Sequence, residues 1–232
     1  MLKKIKQNVY EANMMLPKCG LVRFTWGNAS EVDAKRRYMV IKPSGVSYES
    51  LTADMMCVVS LEDGSVAEGA LKPSTDSLTH IELYKRFPGI GGVVHTHSDY
   101  ATAFAQAGLG IPCFGTTHAD YFYGEIPCTR TLKPCEINES YELYTGGVIA
   151  ETFERHSIDP LAVPGALVYG HGPFAWGKSA ADAVANAAYL ETVARLAHLT
   201  KQIATGGATP VSQDLLDKHY KRKHGKDAYY GQ

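Results

Sequence analysis

Gly92-Val93-Val94-His95-Thr96-His97, followed by Ser98, is the stretch from which the fold is read. It is short, apolar and β-branched up to His95, and it follows Pro88-Gly89, so it reads as a buried strand. Ser98 is placed to cap an alanine-rich helix over residues 99–107, closed by Gly108. Towards the N-terminus, the pattern from Thr75 to Phe87 is helical. Met55 to Ser60 is an apolar run, and Glu62-Asp63-Gly64-Ser65 is a hairpin signal leading to Val66. Tyr38 to Lys42 and Leu21 to Thr25 read as strands, the former stopped by Pro43-Ser44-Gly45. Residues 2–16 read as a helix, with Pro17 just past its end.

Towards the C-terminus, residues 111–135 are irregular and a helix is expected over about 145–156. Ala166 to Tyr169 forms a strand, and after Gly170-His171-Gly172 the chain returns antiparallel through Phe174-Ala175-Trp176. Ser179 with Asp182 resembles an acidic capping box and opens the longest helix, to about Ile203. A last helix is expected over about 212–224. Strands and helices in blocks with hairpin turns predict an α/β fold, a mostly antiparallel sheet covered by helices. A length of 232 residues makes one domain over 1–232 the expectation.

Hydrophobic residues are 45% and charged residues 20% of the chain, the balance of a globular protein with a sizeable core. The formal net charge of -1 offers no global field for nucleic acid or an anionic membrane, so neither is an expected partner. There is no run of 18 apolar residues to form a transmembrane helix. Met1-Leu2-Lys3-Lys4-Ile5-Lys6 is basic but lacks the apolar run of a signal peptide. Five cysteines, an odd number without a C-x-x-C pair, suit reduced thiols and a cytoplasmic location.

Residues two apart on a strand share a face, so His95 and His97 can bind one ion from adjacent rungs. Two neighbouring histidines buried without a partner would be costly. His171 ends a second predicted core strand, between glycines that leave room for close approach. Three imidazoles make a zinc-like site with coordination open for substrate, and nitrogen ligands favour zinc or another late first-row ion over magnesium or calcium.

Lys42-Pro43-Ser44-Gly45 and Lys72-Pro73-Ser74-Thr75-Asp76 are near repeats, each with a lysine, hydroxyls and backbone N–H groups suited to an anion. Trp26-Gly27-Asn28-Ala29-Ser30 offers a third such turn. Beside a metal site they favour a phosphate pocket, and hence a small sugar phosphate as substrate. Asp76 either serves the helix dipole or reaches the metal. Asp120 lies in the aromatic stretch Gly115 to Gly124, where a carboxylate tends to have a raised pKa, useful to a group that both takes and gives a proton. His118 reads as a satisfied loop histidine. The basic run Lys218 to Lys226 reads as a solvated helix face, whereas the Tyr229-Tyr230 tail implies that something binds it.

With these segments in view the chain resembles the L-ribulose-5-phosphate 4-epimerases of the class II aldolase/adducin family, essentially end to end. The resemblance rests on Thr25-Trp26-Gly27-Asn28, Ile41 to Val46, Lys72 to Asp76, Gly91 to Ser98, Gly115 to Gly124, His171 to Gly177, Leu215 to Tyr220 and the tail Ala228 to Gln232. It implies one zinc per subunit, with other divalent ions admissible, held by Asp76, His95, His97 and His171. It implies substrate and phosphate contacts at Gly27, Asn28, Ser44, Gly45, Ser74 and Thr75, with Lys42 close by. It also implies an acid/base pair of Asp120 and Tyr230, and a homotetramer in which Tyr230 arrives from the neighbouring chain. The implied reaction interconverts L-ribulose 5-phosphate and D-xylulose 5-phosphate by breaking and remaking the C3–C4 bond, because C4 has no acidic proton.

Asp99-Tyr100 and Tyr169-Gly170 depart from the epimerase pattern and bear on the rim of the site. The nearest rival is an aldolase of the L-fuculose-1-phosphate type, in which a glutamate occupies the Asp76 position. An adducin-like binding module would be expected to lose the histidines, and a structural zinc site would want closed, cysteine-rich coordination.

Overall fold

In the computed structural model, residues 2–225, 228 and 229 are described. Helix α1 (Leu2–Lys18) buries Val9, Ala12 and Leu16, and it runs past Leu16 with Pro17 inside its last turn. The end is closed by Gly20 N–H to Pro17 O and Leu21 N–H to Leu16 O, both 3.0 Å, with Gly20 at φ 70°. That is a Schellman closure. It uses Leu21, Phe24 follows in the left-handed region at φ 55°, and Trp26 N–H turns back to Arg23 O. The strand expected over Leu21 to Thr25 is therefore absent, and β1 (Asn28–Val32) starts after this turn.

The other strands are β2 (Tyr38–Ile41), β3 (Cys57–Ser60), β4 (Val66–Glu68), β5 (Gly92–His95), β6 (Gly165–Val168) and β7 (Gly172–Gly177). They form one sheet in the order β4-β3-β2-β1-β5-β7-β6, with each neighbouring pair antiparallel. The register sets Asn28 opposite His95 and His95 opposite Phe174, so three adjacent strands deliver their ends to one place.

Six helices follow α1 among the described residues: α2 (Ser77–Arg86), α3 (Asp99–Gln106), α4 (Thr116–Ala119), α5 (Pro134–Arg155), α6 (Ala180–Ile203) and α7 (Gln213–His224). On one face of the sheet, Trp176 packs against Phe87 and Phe153, each with ring centroids 5.3 Å away, at the end of α2 and on α5. On the other face the chain entering α6 crosses so close that a Cβ at Gly92 would lie 2.3 Å from Ser179 backbone. Helices thus cover both faces, as the sequence predicts.

The start of α3 differs in detail from expectation. Ser98 occupies the cap position without a side-chain cap bond. The carboxylate of Glu191, from α6, instead accepts the N–H groups of Tyr100 and Ala101 at 2.9 Å. At α6 the Ser179 hydroxyl oxygen accepts Asp182 N–H at 3.2 Å, in line with the capping signal.

Helix α5 begins well before the expected residue 145. Pro134 occupies its first turn, Lys133 N–H reaches the Glu136 carboxylate at 2.7 Å, and Ser140 breaks the helix with extended backbone at φ −162°, ψ 78°. Trp176 is fully buried and donates its indole N–H to Pro160 O at 2.7 Å. Trp176→Ala is therefore expected to lower unfolding free energy by about 3–5 kcal/mol, read from the urea midpoint at unchanged slope. A loss within about 0.5 kcal/mol would contradict this packing.

Candidate metal centre and substrate cleft

Three local structures converge at the ends of β1, β5 and β7. His95 is the last residue of β5, His97 lies just past it, and His171 stands in the turn before β7. Their ligating nitrogens lie within 4.8 Å of one another. His95 stacks on Phe174 at 4.2 Å, and its Nδ1 lies 3.0 Å from Pro173 O. A carbonyl only accepts, so that nitrogen carries the hydrogen and Nε2 keeps a lone pair. His95 Nε2 faces His97 Nε2 at 3.0 Å.

Burial, and then His95, lower the His97 pKa; burial, with His95 and His97, pushes His171 to about 3. His97 and His171 are thus neutral, the form a metal requires. Three imidazoles converging at this separation fit a cation, and the donor set suits zinc or a similar late first-row ion.

Asp76 takes the residue position before α2 but makes no side-chain cap bond. Its Oδ2 accepts the Asn28 amide at 2.7 Å and, more weakly, the Ser74 hydroxyl at 3.4 Å. Burial would raise its pKa, but His95 and the Asn28 bond outweigh this and hold it below the usual carboxylate range. The carboxylate is therefore ionised, and it lines the same cleft as the histidines, outside the three-histidine group.

One cleft of about 400 Å³ is lined by Asp76 and the three histidines together with Gly27, Asn28, Lys42, Ser44, Gly45, Ser74 and Thr75. Gly27 is required there: it sits at φ 75°, and a Cβ would come within 2.5 Å of Val22 Cγ1 and 3.0 Å of His95 O. The two Lys-Pro-Ser turns pair with each other. Ser44 N–H donates to Lys72 O at 2.9 Å and Ser74 N–H to Lys42 O at 3.0 Å, around a Pro43–Pro73 bridge.

Lys42 is almost fully buried, and its amine donates to Val46 O at 2.8 Å with longer contacts to Thr25 O and Pro43 O. Burial lowers its pKa to about 8. Its ammonium therefore braces the loops under the cleft, with Tyr48 as a ring partner at 5.0 Å.

Asp120 is placed elsewhere. It does not line this cleft; its carboxylate accepts two bonds from Arg222, at 3.1 and 2.8 Å, and one from His219 Nδ1 at 3.0 Å. Burial raises its pKa, but Arg222 and His219 more than reverse this, so it is lowered, contrary to the aromatic-pocket expectation. The basic face of α7 is partly consumed in that contact, and His224 Nε2 lies 2.9 Å from Asp120 O. Tyr229 N–H returns to Arg222 O at 2.9 Å. Tyr230 lies outside the described residues. His118 is satisfied by Gly124 O at 2.8 Å and is kept neutral by burial, which takes its pKa to about 4.

Three residues escaped the sequence reading. Tyr141 and Glu142, just past the Ser140 break, also line the cleft. His80 on α2, fully buried, shares the Ser30 hydroxyl with Tyr84, each at 2.8 Å. His80 sits four residues after Asp76, a spacing that puts both on one helix face and could have flagged it.

The chain belongs to the class II aldolase and adducin family: the Class II Aldolase and Adducin N-terminal domain matches residues 7–198. Along the full length of both chains it is 56% identical to the L-ribulose-5-phosphate 4-epimerase UlaF of Salmonella paratyphi A, over 231 residues. The protein of the same name from Salmonella paratyphi B is 55% identical over the same length, again covering both chains completely.

The fold is that of an L-fuculose 1-phosphate aldolase, with TM-score 0.81, 20% identity, and coverage of 94% of this chain and 95% of that one. The L-fuculose 1-phosphate aldolase of Glaciozyma antarctica PI12 superposes with TM-score 0.76 at 18% identity, covering 97% of this chain and 84% of the other.

Proposed function

We propose that this chain is a metal-dependent epimerase that interconverts L-ribulose 5-phosphate and D-xylulose 5-phosphate by cleaving and re-forming the C3–C4 bond. The observation that carries the reading is the convergence of three imidazoles on a cleft walled by two paired Lys-Pro-Ser turns. The full-length likeness to the two Salmonella epimerases supports the choice of reaction.

Asp76, His95, His97 and His171 would hold the ion, zinc by preference, and when bound it supplies Lewis-acid stabilisation of negative charge on substrate oxygens. Ser44, Gly45, Ser74 and Thr75 hold the phosphate, over the positive charge of Lys42. Asn28 orients Asp76 through its amide N–H. Its buried Oδ1 has no hydrogen-bond partner among the described residues and is positioned to accept a substrate hydroxyl.

Asp120 and Tyr230 form the acid/base pair, one for the C4 oxygen of each stereoisomer. Because Asp120 is tied to α7 and away from its own cleft, it reaches the site of a neighbouring copy with the tail that carries Tyr230. We take the working form to be a homotetramer of single-domain subunits, as the family resemblance implies. The charge balance and the absence of a membrane-crossing helix among the described residues suit a cytoplasmic enzyme of pentose catabolism.

Incubation of the metal-loaded protein with L-ribulose 5-phosphate is expected to give D-xylulose 5-phosphate without net release of dihydroxyacetone. Accumulation of dihydroxyacetone and glycolaldehyde phosphate would identify an aldolase instead. Absence of turnover after confirmed metal loading would overturn the reading.

A further inference from the structure

The break in α5 has a chemical result. With Ser140 extended, the helix restarts at Tyr141, anchored by Thr79 Oγ1–H to Glu142 O at 2.6 Å and Thr145 Oγ1–H to Tyr141 O at 2.8 Å. This places the Tyr141 hydroxyl 3.2 Å from His171 Nδ1, with the two rings 5.9 Å apart. We propose that Tyr141 is a positioning residue of the metal centre, whose hydroxyl oxygen accepts the Nδ1–H of His171 and so commits that ring to present Nε2 to a divalent ion.

The argument parallels that for His95, with one difference. Pro173 O can only accept, so His95 has a fixed tautomer whether or not an ion is bound. A tyrosine hydroxyl can donate or accept, and the hydrogen bond to His171 alone admits both tautomers. If Tyr141 donated, His171 Nε2 would carry the hydrogen and could not ligate. Ion binding at Nε2 selects the arrangement in which Nδ1–H donates to Tyr141. The hydroxyl then holds the ring plane and raises the basicity of the ligating nitrogen, the usual work of a partner behind a metal-bound histidine. His171 stands in a turn and is less enclosed than His95, which the strand and Phe174 already hold. Such a support therefore has something to add at His171.

The inference rests on the metal reading but not on the identity of the substrate. The experiment therefore uses Co2+ alone, titrated into the metal-free full chain and into Tyr141→Phe, with affinity set by chelator competition and the visible spectrum recorded. Tyr141→Phe is expected to bind Co2+ about 10–100-fold more weakly with an altered ligand-field spectrum, while the melting temperature of the metal-free protein is unchanged. Equal affinity and an identical spectrum would overturn the role of Tyr141 and leave the metal centre standing. Failure of the wild type to bind Co2+ would instead overturn the metal reading, and this inference with it. Independently of any variant, long-range 1H–15N spectra of the Zn2+-loaded wild type should show His171 as the Nδ1–H tautomer. An Nε2–H signal would refute the proposal even if the phenylalanine variant failed to fold.

Discussion

His97→Ala is expected to leave the chain folded, deprive it of its divalent ion and lower turnover by about four orders of magnitude. The magnitude follows from the several kcal/mol that a Lewis acid contributes where negative charge develops, at about 1.36 kcal/mol for each factor of ten. His97 is the informative choice among the three. It lies past the end of β5 and is exposed, whereas His95 is wedged against Phe174 and bonded to Pro173, so that truncating His95 would confound chemistry with packing. Three measurements decide the matter: metal content by elemental analysis, kcat with L-ribulose 5-phosphate, and melting temperature without metal. A variant that keeps a full complement of metal and its turnover would show that the imidazole cluster is not the centre.

Asp120→Asn is expected to lower kcat by about 10²–10⁴-fold, the span usual for a general acid or base, with metal content intact. Asparagine keeps the shape and still accepts from Arg222, but it cannot exchange a proton with the C4 oxygen. Mixing Asp120→Asn with His97→Ala, each inactive alone, should restore activity. A site assembled across a head-to-tail interface would be intact in about a quarter of random pairings. No recovery after confirmed subunit exchange would place Asp120 outside the composite site.

The same substitution has a signature in stability. The folded-state pKa of Asp120 is depressed, so its paired carboxylate stabilises the docking of α7 above the unfolded-state value. That contribution is lost as pH falls through the folded-state value. In Asp120→Asn this part of the acid dependence should vanish.

What could be read from the sequence was what depends on neighbours along the chain. The strand ending at His95, the return through His171 into β7 and the two Lys-Pro-Ser turns each carry their signal within a few residues, and each is found in the fold. The failures have a common cause. Leu21 to Thr25 alternates like a strand, yet the closure of α1 and the left-handed Phe24 claim it first. The first half of α5 lacks a core-facing stripe, with Ile137 and Leu143 exposed, so no helical period announces it. Tyr141 was hidden for the same reason. The charge on Asp120 is set by Arg222, some hundred residues away in the chain, which no local window contains.

The mutual bonds between Lys42-Pro43-Ser44 and Lys72-Pro73-Ser74 account for proline at the centre of both turns. In an antiparallel bridge centred on a non-hydrogen-bonded pair, the two bonds run from the residue after each centre to the carbonyl before the other. The central residues need no N–H, so proline fits at both. The backbone bonds thus have local two-fold symmetry. An insertion in either arm would disturb both bonds at once, so two segments far apart in the chain share one mechanical constraint. The prolines follow from that geometry, whereas the lysines keep different surroundings, Lys42 buried and Lys72 exposed.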